Sequence, residues 1–266
     1  MGKGSHFFCV AALVIFTLGC FVSLAGAQGL VGVNYGMLGD NLPTPDQVVG
    51  MYKSRNIQRL RLFDPNPDAL TALHGSGIAV VLGTLNQDLQ QLAASQDFAA
   101  QWVASHVTPH AGAVQFRYVA AGNEVIPGDL ASYVLPAMQN LAVALKAAGV
   151  PVPVTTAVST SVLGVSYPPS QGSFSNDSAA VMGPLLGFLA SSGAPLLVNN
   201  YPYFAFAFNQ GDIKQDYALF TSTEVVVWDG PLGYTNLFDA ILDAMYAAME
   251  RAGQAGVEVV VSETGW

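Results

Sequence analysis

Cysteine is nearly absent from this sequence of 266 residues. Its two cysteines, Cys9 and Cys20, both lie in the apolar N-terminal segment. The remainder of the chain therefore cannot form a disulfide framework or a thiolate metal site. A fold without disulfides depends on its hydrophobic core, and a chain of this length can bury a large one.

Basic residues are also scarce. The chain has 9 Lys and Arg against 18 Asp and Glu, which gives a formal net charge of -9. The few cations form no cluster, so we expect no nucleic-acid partner, because phosphate binding needs concentrated Lys and Arg. The negative charge also repels anionic polymers but permits a neutral polysaccharide.

The N-terminus has the pattern of a secretory signal. A short polar stretch containing Lys3 precedes the apolar residues 7–24, and Ala25-Gly26-Ala27 provides small residues for cleavage. The alternative is a transmembrane anchor, for which the apolar run is long enough. No basic cluster follows that run, so we predict a signal peptide at 1–27, cleavage after Ala27 and secretion to the extracellular space or cell wall.

Residues 28–266 alternate short β-branched runs with longer amphipathic runs, which is typical of repeated βα units. The predicted strands are 30–35, 59–63, 78–82, 115–121, 152–158, 196–201 and 257–262, with an extra strand at 225–228. One predicted helix has Thr44 as its N-cap. The others cover 99–107, 130–148 and 237–252. The pattern predicts one domain of α/β class, a (β/α)8 TIM barrel truncated after its seventh strand.

Two glutamates follow predicted strands. Glu124 ends the fourth strand and Glu263 ends the seventh. Functional residues of such barrels lie at the C-terminal ends of strands, and glycoside hydrolysis requires two convergent carboxyls. The alternative is that each glutamate caps a helix or joins an ion pair. We expect Asn123 to hold a sugar hydroxyl and Trp266 to form a wall that stacks on a sugar ring.

The segments around both glutamates resemble a known family. Gly122-Asn123-Glu124 and Ser262-Glu263-Thr264-Gly265-Trp266 resemble the acid/base and nucleophile motifs of plant endo-1,3-β-glucanases, glycoside hydrolase family 17. Further similar segments are VGVNYG at 31–36, NLP at 41–43, YPPS at 167–170, VNNYPYF at 198–204, DYALF at 216–220 and NLFDA at 236–240.

The resemblance implies a TIM barrel, retaining hydrolysis of internal linkages in β-1,3-glucan, and no cofactor. It also implies that Glu263 is the nucleophile and Glu124 the acid/base. The chain departs from the family at Asn34, where members often have cysteine, and after Trp266, where the family continues into an eighth strand. We therefore expect this chain alone to expose strand edges and to be weakly active or inactive, and a complete barrel to be monomeric.

Aromatic and basic residues near strand ends are further candidates. We expect Tyr35 and Tyr201 to face the sugar, since a tyrosine beside the nucleophile can orient it and aromatic faces stack on glucose rings. Phe204 and Phe206 are expected in the core. Arg61 is predicted to hold a carboxylate in its ionised form, or equally to form a structural ion pair.

Two remaining motifs carry weaker expectations. Asn176-Asp177-Ser178 is a glycosylation sequon that we place in a Ser/Gly-rich loop. His106 and His110 have helical spacing, but Pro109 separates them and no third ligand is near, so we expect a surface pair and no metal.

Two other functions stay open. One is a related β-glycanase of different linkage preference, such as one acting on mixed-linkage glucan. The other is an inactive glucan-binding or wall-structural protein, which the missing eighth unit favours. A lipid anchor encoded beyond Trp266 also stays open, as does the biological role among defence, wall remodelling and callose turnover.

Overall fold

The computed structural model describes residues 31–266, so the predicted signal peptide lies outside the described residues. Its strands are β1 (Val33–Tyr35), β2 (Arg59–Leu62), β3 (Ala79–Gly83), β4 (Gln115–Asn123), β5 (Val154–Ser159), β6 (Leu163–Val165), β7 (Ser173–Phe174), β8 (Leu196–Asn199), β9 (Val227–Asp229), β10 (Leu232–Tyr234) and β11 (Val259–Glu263). Its helices are α1 (Pro45–Ser54), α2 (Pro67–Ala72), α3 (Leu89–Ala94), α4 (Gln96–His106), α5 (Ala131–Ala147), α6 (Asn176–Ser192), α7 (Pro202–Phe208), α8 (Gln215–Ala218) and α9 (Leu237–Arg251).

Seven strands form one parallel sheet in the order β1-β2-β3-β4-β5-β8-β11. This is the order in which successive strands of a (β/α) barrel follow one another, so the predicted barrel class is confirmed. All seven predicted barrel strands are present. Within residues 31–266, β1 and β11 stand at the two ends of the order, as expected for seven strands. The carboxyl ends of all seven strands therefore open on the same face.

The excursion between β8 and α9 differs from the prediction. The extra strand expected at 225–228 is instead β9, at Val227–Asp229, and it pairs with β10 as an antiparallel hairpin. Gly230 has a φ of 58°, a left-handed conformation that glycine adopts without strain. Gly230 therefore permits the tight turn between β9 and β10, so a two-stranded hairpin stands where one strand was predicted.

The structure corrects the surroundings of the sequon. Asn176 does not lie in a loop but is the first residue of α6. The Ser175 side chain caps this helix by accepting a hydrogen bond from the Ser178 backbone N–H. Asn176 is exposed there, whereas Ser178 is buried.

The core lies between the sheet and the helices that surround it. Helix α5 shows the pattern well, because Val134, Met138, Leu141 and Leu145 recur at helical spacing and are all buried. Fully burying such a side chain stabilises the fold by about 1.5–3 kcal/mol. These layers hold the strands rigidly, so side chains at the strand ends have fixed positions.

A second, smaller apolar cluster lies in the excursion after β8. It is formed by Tyr217, Ala218, Tyr234, Leu237, Ala240 and Ile241. The adjacent loop before β7 is attached to the same region, because Arg251 donates hydrogen bonds to the carbonyls of Ser170 and Gly172, both at 2.7 Å. Among residues 31–266, no helix has both the length and the apolar character needed to cross a bilayer.

Candidate active site

The two predicted glutamates meet at the carboxyl face of the barrel. The Asn199 Nδ2 atom lies 2.8 Å from Oε1 of Glu124 and 2.8 Å from Oε1 of Glu263. The nearest oxygens of the two carboxyls are therefore no farther apart than twice that distance. Residues that are far apart in sequence thus form one pair across the mouth of the barrel.

An irregularity in β4 positions Glu124. The pairing of β4 with β5 shifts register between Ala120 and Asn123, and Gly122 within the shift has a φ of 77°. A Cβ at Gly122 would lie 2.8 Å from a methyl group of Leu89, so both backbone conformation and space favour glycine. Glu124 itself has a φ of 55°, which is uncommon for a residue with a side chain. Such strain is typical of residues held by their surroundings for function.

A second irregularity positions Glu263. Strand β11 pairs Val261 with Val198 and Glu263 with Asn199, so Ser262 is an extra residue in β11. Successive side chains of a regular strand point to opposite faces, whereas a bulge changes their directions locally. Here Ser262 and Glu263 both hydrogen-bond the side chain of Asn199.

Arg61 is the centre of the polar network. Its NH1 atom donates to Glu263 Oε1 at 2.8 Å and to Asn199 Oδ1 at 3.3 Å, and its NH2 atom donates to Asn123 Oδ1 at 2.8 Å. Burial lowers the pKa of the Arg61 guanidinium, and the neighbouring Glu263 carboxylate opposes this shift. Both alternatives predicted for Arg61 therefore apply. It forms a buried ion pair, and the carboxylate that it holds is that of the predicted nucleophile, Glu263.

Tyr201 completes the contacts of Glu263. Its hydroxyl donates to Glu263 Oε2 at 3.0 Å. Burial, followed by the hydrogen bond to Glu263, raises the pKa of Tyr201 to about 12. The hydroxyl thus stays protonated at neutral pH and remains a donor to the carboxylate.

The two carboxyls have different environments. The Glu263 side chain is 14% exposed and accepts from Arg61, Asn199 and Tyr201. Glu124 is exposed and accepts from Asn199. The three donors hold the Glu263 carboxyl in one orientation, which suits a nucleophile, whereas the exposed Glu124 is accessible to substrate and water.

Asn123 is held through its backbone and its side-chain oxygen. It exchanges two hydrogen bonds with Asn86, through its backbone N–H at 2.8 Å and its carbonyl at 2.9 Å. Its Oδ1 accepts from Arg61 and from Asn199, the latter at 3.1 Å. Its amide nitrogen is therefore the part of the side chain left to donate to a ligand.

The predicted aromatic residues are distributed unevenly. Trp266 is 55% exposed and packs against Tyr203 and Phe206, with ring centroids 5.3 and 5.5 Å away. Phe204, expected in the core, is instead 51% exposed, because the short helix α7 buries only Pro202. Tyr35 is 6% exposed and packs edge-on against Tyr52, so its contact with sugar stays a prediction.

Sequence reasoning did not assign roles to Asn199, Ser262 or Asn86. Asn199 is 1% exposed and stands at the end of β8, directly after the apolar residues Leu196–Val198. A polar residue that follows an apolar strand into the barrel mouth is the signal that would have identified it.

The contacts of His74, His106 and His110 involve neither Glu124 nor Glu263. His110 forms a 2.8 Å hydrogen bond with His74, and His106 packs against Trp102. In the part of the chain that the structure describes, no three His, Cys, Asp or Glu residues form a cluster suited to a metal.

Comparison with known proteins adds independent findings. A sequence model described as "Glycosyl hydrolases family 17" matches residues 31–266. A Hordeum vulgare protein with the provisional name glucan endo-1,3-beta-glucosidase GVI is 58% identical over 245 residues, which are 91% of this chain and 76% of that protein. A Nicotiana tabacum protein, a basic vacuolar isoform of glucan endo-1,3-beta-glucosidase, is 48% identical over 263 residues, 97% of this chain and 71% of that protein.

A solved structure has the same fold. It belongs to a study of two plant beta-glucan endohydrolases with distinct substrate specificities, and it superposes with a TM-score of 0.86 at 49% identity. The match covers 89% of this chain and 77% of that one.

Proposed function

Because the chain belongs to glycosyl hydrolase family 17, we propose that it hydrolyses internal 1,3-β-D-glucosidic linkages of β-1,3-glucan with retention of configuration. The named activity of its relatives supports the substrate, since proteins 58% and 48% identical to it are glucan endo-1,3-beta-glucosidases by name. The proposal needs no cofactor, because two carboxyls are sufficient for this reaction.

In the first step, a Glu263 oxygen attacks the anomeric carbon and forms a glycosyl ester. The glycosidic C–O bond breaks, and its electron pair goes to the leaving oxygen, which takes a proton from Glu124. Arg61 and Tyr201 orient Glu263 before the attack through hydrogen bonds of 2.8 and 3.0 Å.

In the second step, Glu124 as carboxylate takes a proton from water while the water oxygen bonds to the anomeric carbon. The ester bond to Glu263 breaks, and its electron pair returns to that carboxylate. Both enzyme residues regain their starting protonation states. Asn123 donates to a sugar hydroxyl from its amide nitrogen, and Trp266 provides an apolar surface for a glucose ring.

The separation of the carboxyls is the observation that carries the proposal. Both Oε1 atoms lie 2.8 Å from Asn199 Nδ2. Retaining enzymes hold the two groups about 5–5.5 Å apart, whereas inverting enzymes need about 6.5–9.5 Å to admit a water molecule. The shared nitrogen limits the distance between these two oxygens to twice that value, which favours the retaining spacing.

Azide rescue tests the assignment of roles. In a form with a complete barrel, we expect Glu263→Ala and Glu124→Ala each to lose nearly all hydrolysis. Azide should then give an α-glycosyl azide with Glu263→Ala, because it attacks from the face opposite the leaving group. With Glu124→Ala it should give a β-glycosyl azide through the covalent intermediate. The same configuration from both variants, or inversion by the unmutated protein in NMR, would contradict the assignment.

A linkage assay separates the main proposal from its rivals. The protein should release reducing sugar from linear β-1,3-glucan faster than from mixed-linkage glucan. Faster release from the mixed-linkage polymer would favour a glycanase with a different linkage preference. This alternative is worth testing because the matched solved structure comes from a study of plant beta-glucan endohydrolases with distinct substrate specificities. Glucan binding without any product would favour the inactive binding protein.

We also propose secretion as a glycoprotein that is monomeric when its barrel is complete. The N-terminal sequence pattern supports cleavage after Ala27, and exposed Asn176 at the start of α6 is accessible for glycosylation. Vacuolar isoforms among the relatives make the vacuole the alternative destination. N-terminal sequencing, Asn176→Gln gel shifts and cell fractionation test these points, and an uncleaved N-terminus would contradict the first of them.

A further inference from the structure

We infer that Asn199 is a positioning residue that sets the spacing between Glu124 and Glu263. The inference rests on the proposed hydrolytic function for its kinetic meaning, but its structural content does not depend on that function. It arises from the way one buried amide contacts both carboxyls at once.

The orientation of the Asn199 amide is determined by its oxygen. Oδ1 accepts from the Ser262 hydroxyl at 2.7 Å and from Arg61 NH1 at 3.3 Å. Arg61 is always protonated and can only donate, so a flipped amide would place two donors against each other. The nitrogen therefore has to face the carboxyls.

The nitrogen then has more acceptors than hydrogens. Its two N–H bonds meet three oxygens, those of Glu124 and Glu263 at 2.8 Å and that of Asn123 at 3.1 Å. The two shorter contacts belong to the glutamates. Because the two hydrogens of an amide diverge in one plane, they hold the two acceptors about 5 Å apart. This is the spacing that attack by Glu263 and protonation by Glu124 require.

The position of Asn199 in the sheet makes this spacing rigid. Asn199 is 1% exposed and pairs with Ser159 of β5 on one side and with Glu263 of β11 on the other. A side chain on an internal strand is held more precisely than one on a loop. The bulge at Ser262 brings both Ser262 and Glu263 to this single amide.

Asn199→Asp is the decisive substitution, because it keeps the shape and replaces the donor by an acceptor. It places a carboxyl oxygen where both glutamate oxygens lie within 2.8 Å. If Asn199 only filled space, this variant would behave like the unmutated protein. Asn200→Asp is the matched control, since Asn200 is also buried but donates to the Phe238 carbonyl at 3.0 Å.

A melting experiment tests the contacts without any activity. The loss in melting temperature caused by Asn199→Asp should shrink when Glu124→Gln or Glu263→Gln is added, because each supplies an amide N–H that can donate to the new carboxyl. The loss caused by Asn200→Asp should be unchanged by the same additions. Equal losses from Asn199→Asp in all backgrounds would overturn the inference.

Kinetics on linear β-1,3-glucan, measured in a form of the protein with a complete barrel, test the consequence. Asn199→Ala should lower kcat about 10- to 100-fold, the range for losing a hydrogen bond to a charged group, with KM changed little. Asn199→Asp should lower kcat further than Asn199→Ala. If the unmutated protein hydrolyses the glucan and Asn199→Asp retains the same kcat, the inference about Asn199 is wrong and the proposed function still holds. If unmutated protein hydrolyses no glucan, the proposed function fails and the melting experiment still decides the role of Asn199.

Discussion

Removing the Arg61 guanidinium should destabilise the fold and disorder the site together. Arg61→Met leaves Glu263, whose side chain is 14% exposed, without its cation at 2.8 Å. Breaking a buried ion pair by removing one partner costs about 3–5 kcal/mol, because the remaining charge is uncompensated. This is a large part of a total stability of about 5–15 kcal/mol. The melting temperature should fall by about 6–20 °C, as measured by calorimetry or circular dichroism.

Two further variants separate charge from geometry. Adding Glu263→Gln to Arg61→Met should restore much of the loss, because it removes the uncompensated charge. Arg61→Lys should lose an intermediate amount, since lysine keeps the charge but lacks the planar fork that reaches Asn123, Asn199 and Glu263 together. An Arg61→Met protein that melts with the unmutated one, or no recovery in the double variant, would refute this reasoning.

Three more predictions concern backbone conformation and pH. Gly122→Ala should cost more stability in urea unfolding than Gly75→Ala. Both glycines have left-handed φ values, which cost a residue with a side chain about 1–2 kcal/mol, but only Gly122 of the two also lacks space for a Cβ. Equal costs would contradict the packing argument. The raised pKa of Tyr201, about 12, favours its protonated form in the fold, so its stabilisation is present below pH 10 and is lost as pH rises towards 12. Tyr201→Phe should therefore reduce the fall in unfolding free energy between pH 9 and pH 11; an unchanged fall would assign that loss to other groups. Burial, followed by the neighbouring histidines, lowers the pKa of His110 below 6.5, so stability is lost as pH falls through 6.5. His110→Gln should reduce that loss in melting experiments, and an equally steep loss in the variant would refute the linkage.

The strands of the barrel were predictable because their signal is local. Runs of β-branched residues bounded by polar or glycine-rich segments predicted all seven, and the structure differs mainly at their ends. Helix α6 was not predicted, because Gly183, Pro184 and Gly187 interrupt its pattern with poor helix formers. Burial of Met182 and Leu185 overrides that weak local preference. Tertiary packing therefore decided the structure around the sequon.

The candidate site was predictable in some of its members but not in its connections. Strand ends identified Glu124 and Glu263, and Arg61 was recognised as a partner for a carboxylate. The contacts of Asn199 were not predictable, since they depend on two bulges that the two-residue period of a strand does not reveal.

By itself, the sequence determined the barrel class, the two glutamates and the face on which they lie. Those properties follow from the alternation of β-branched with amphipathic runs, from the rule that strand ends carry function, and from the resemblance of the two glutamate segments to a known family. Only the tertiary structure decided the distance between the carboxyls and the donors that hold them. That distance joins atoms on strands far apart in the chain, so it is set by register, by the bulges at Gly122 and Ser262, and by one buried amide between them.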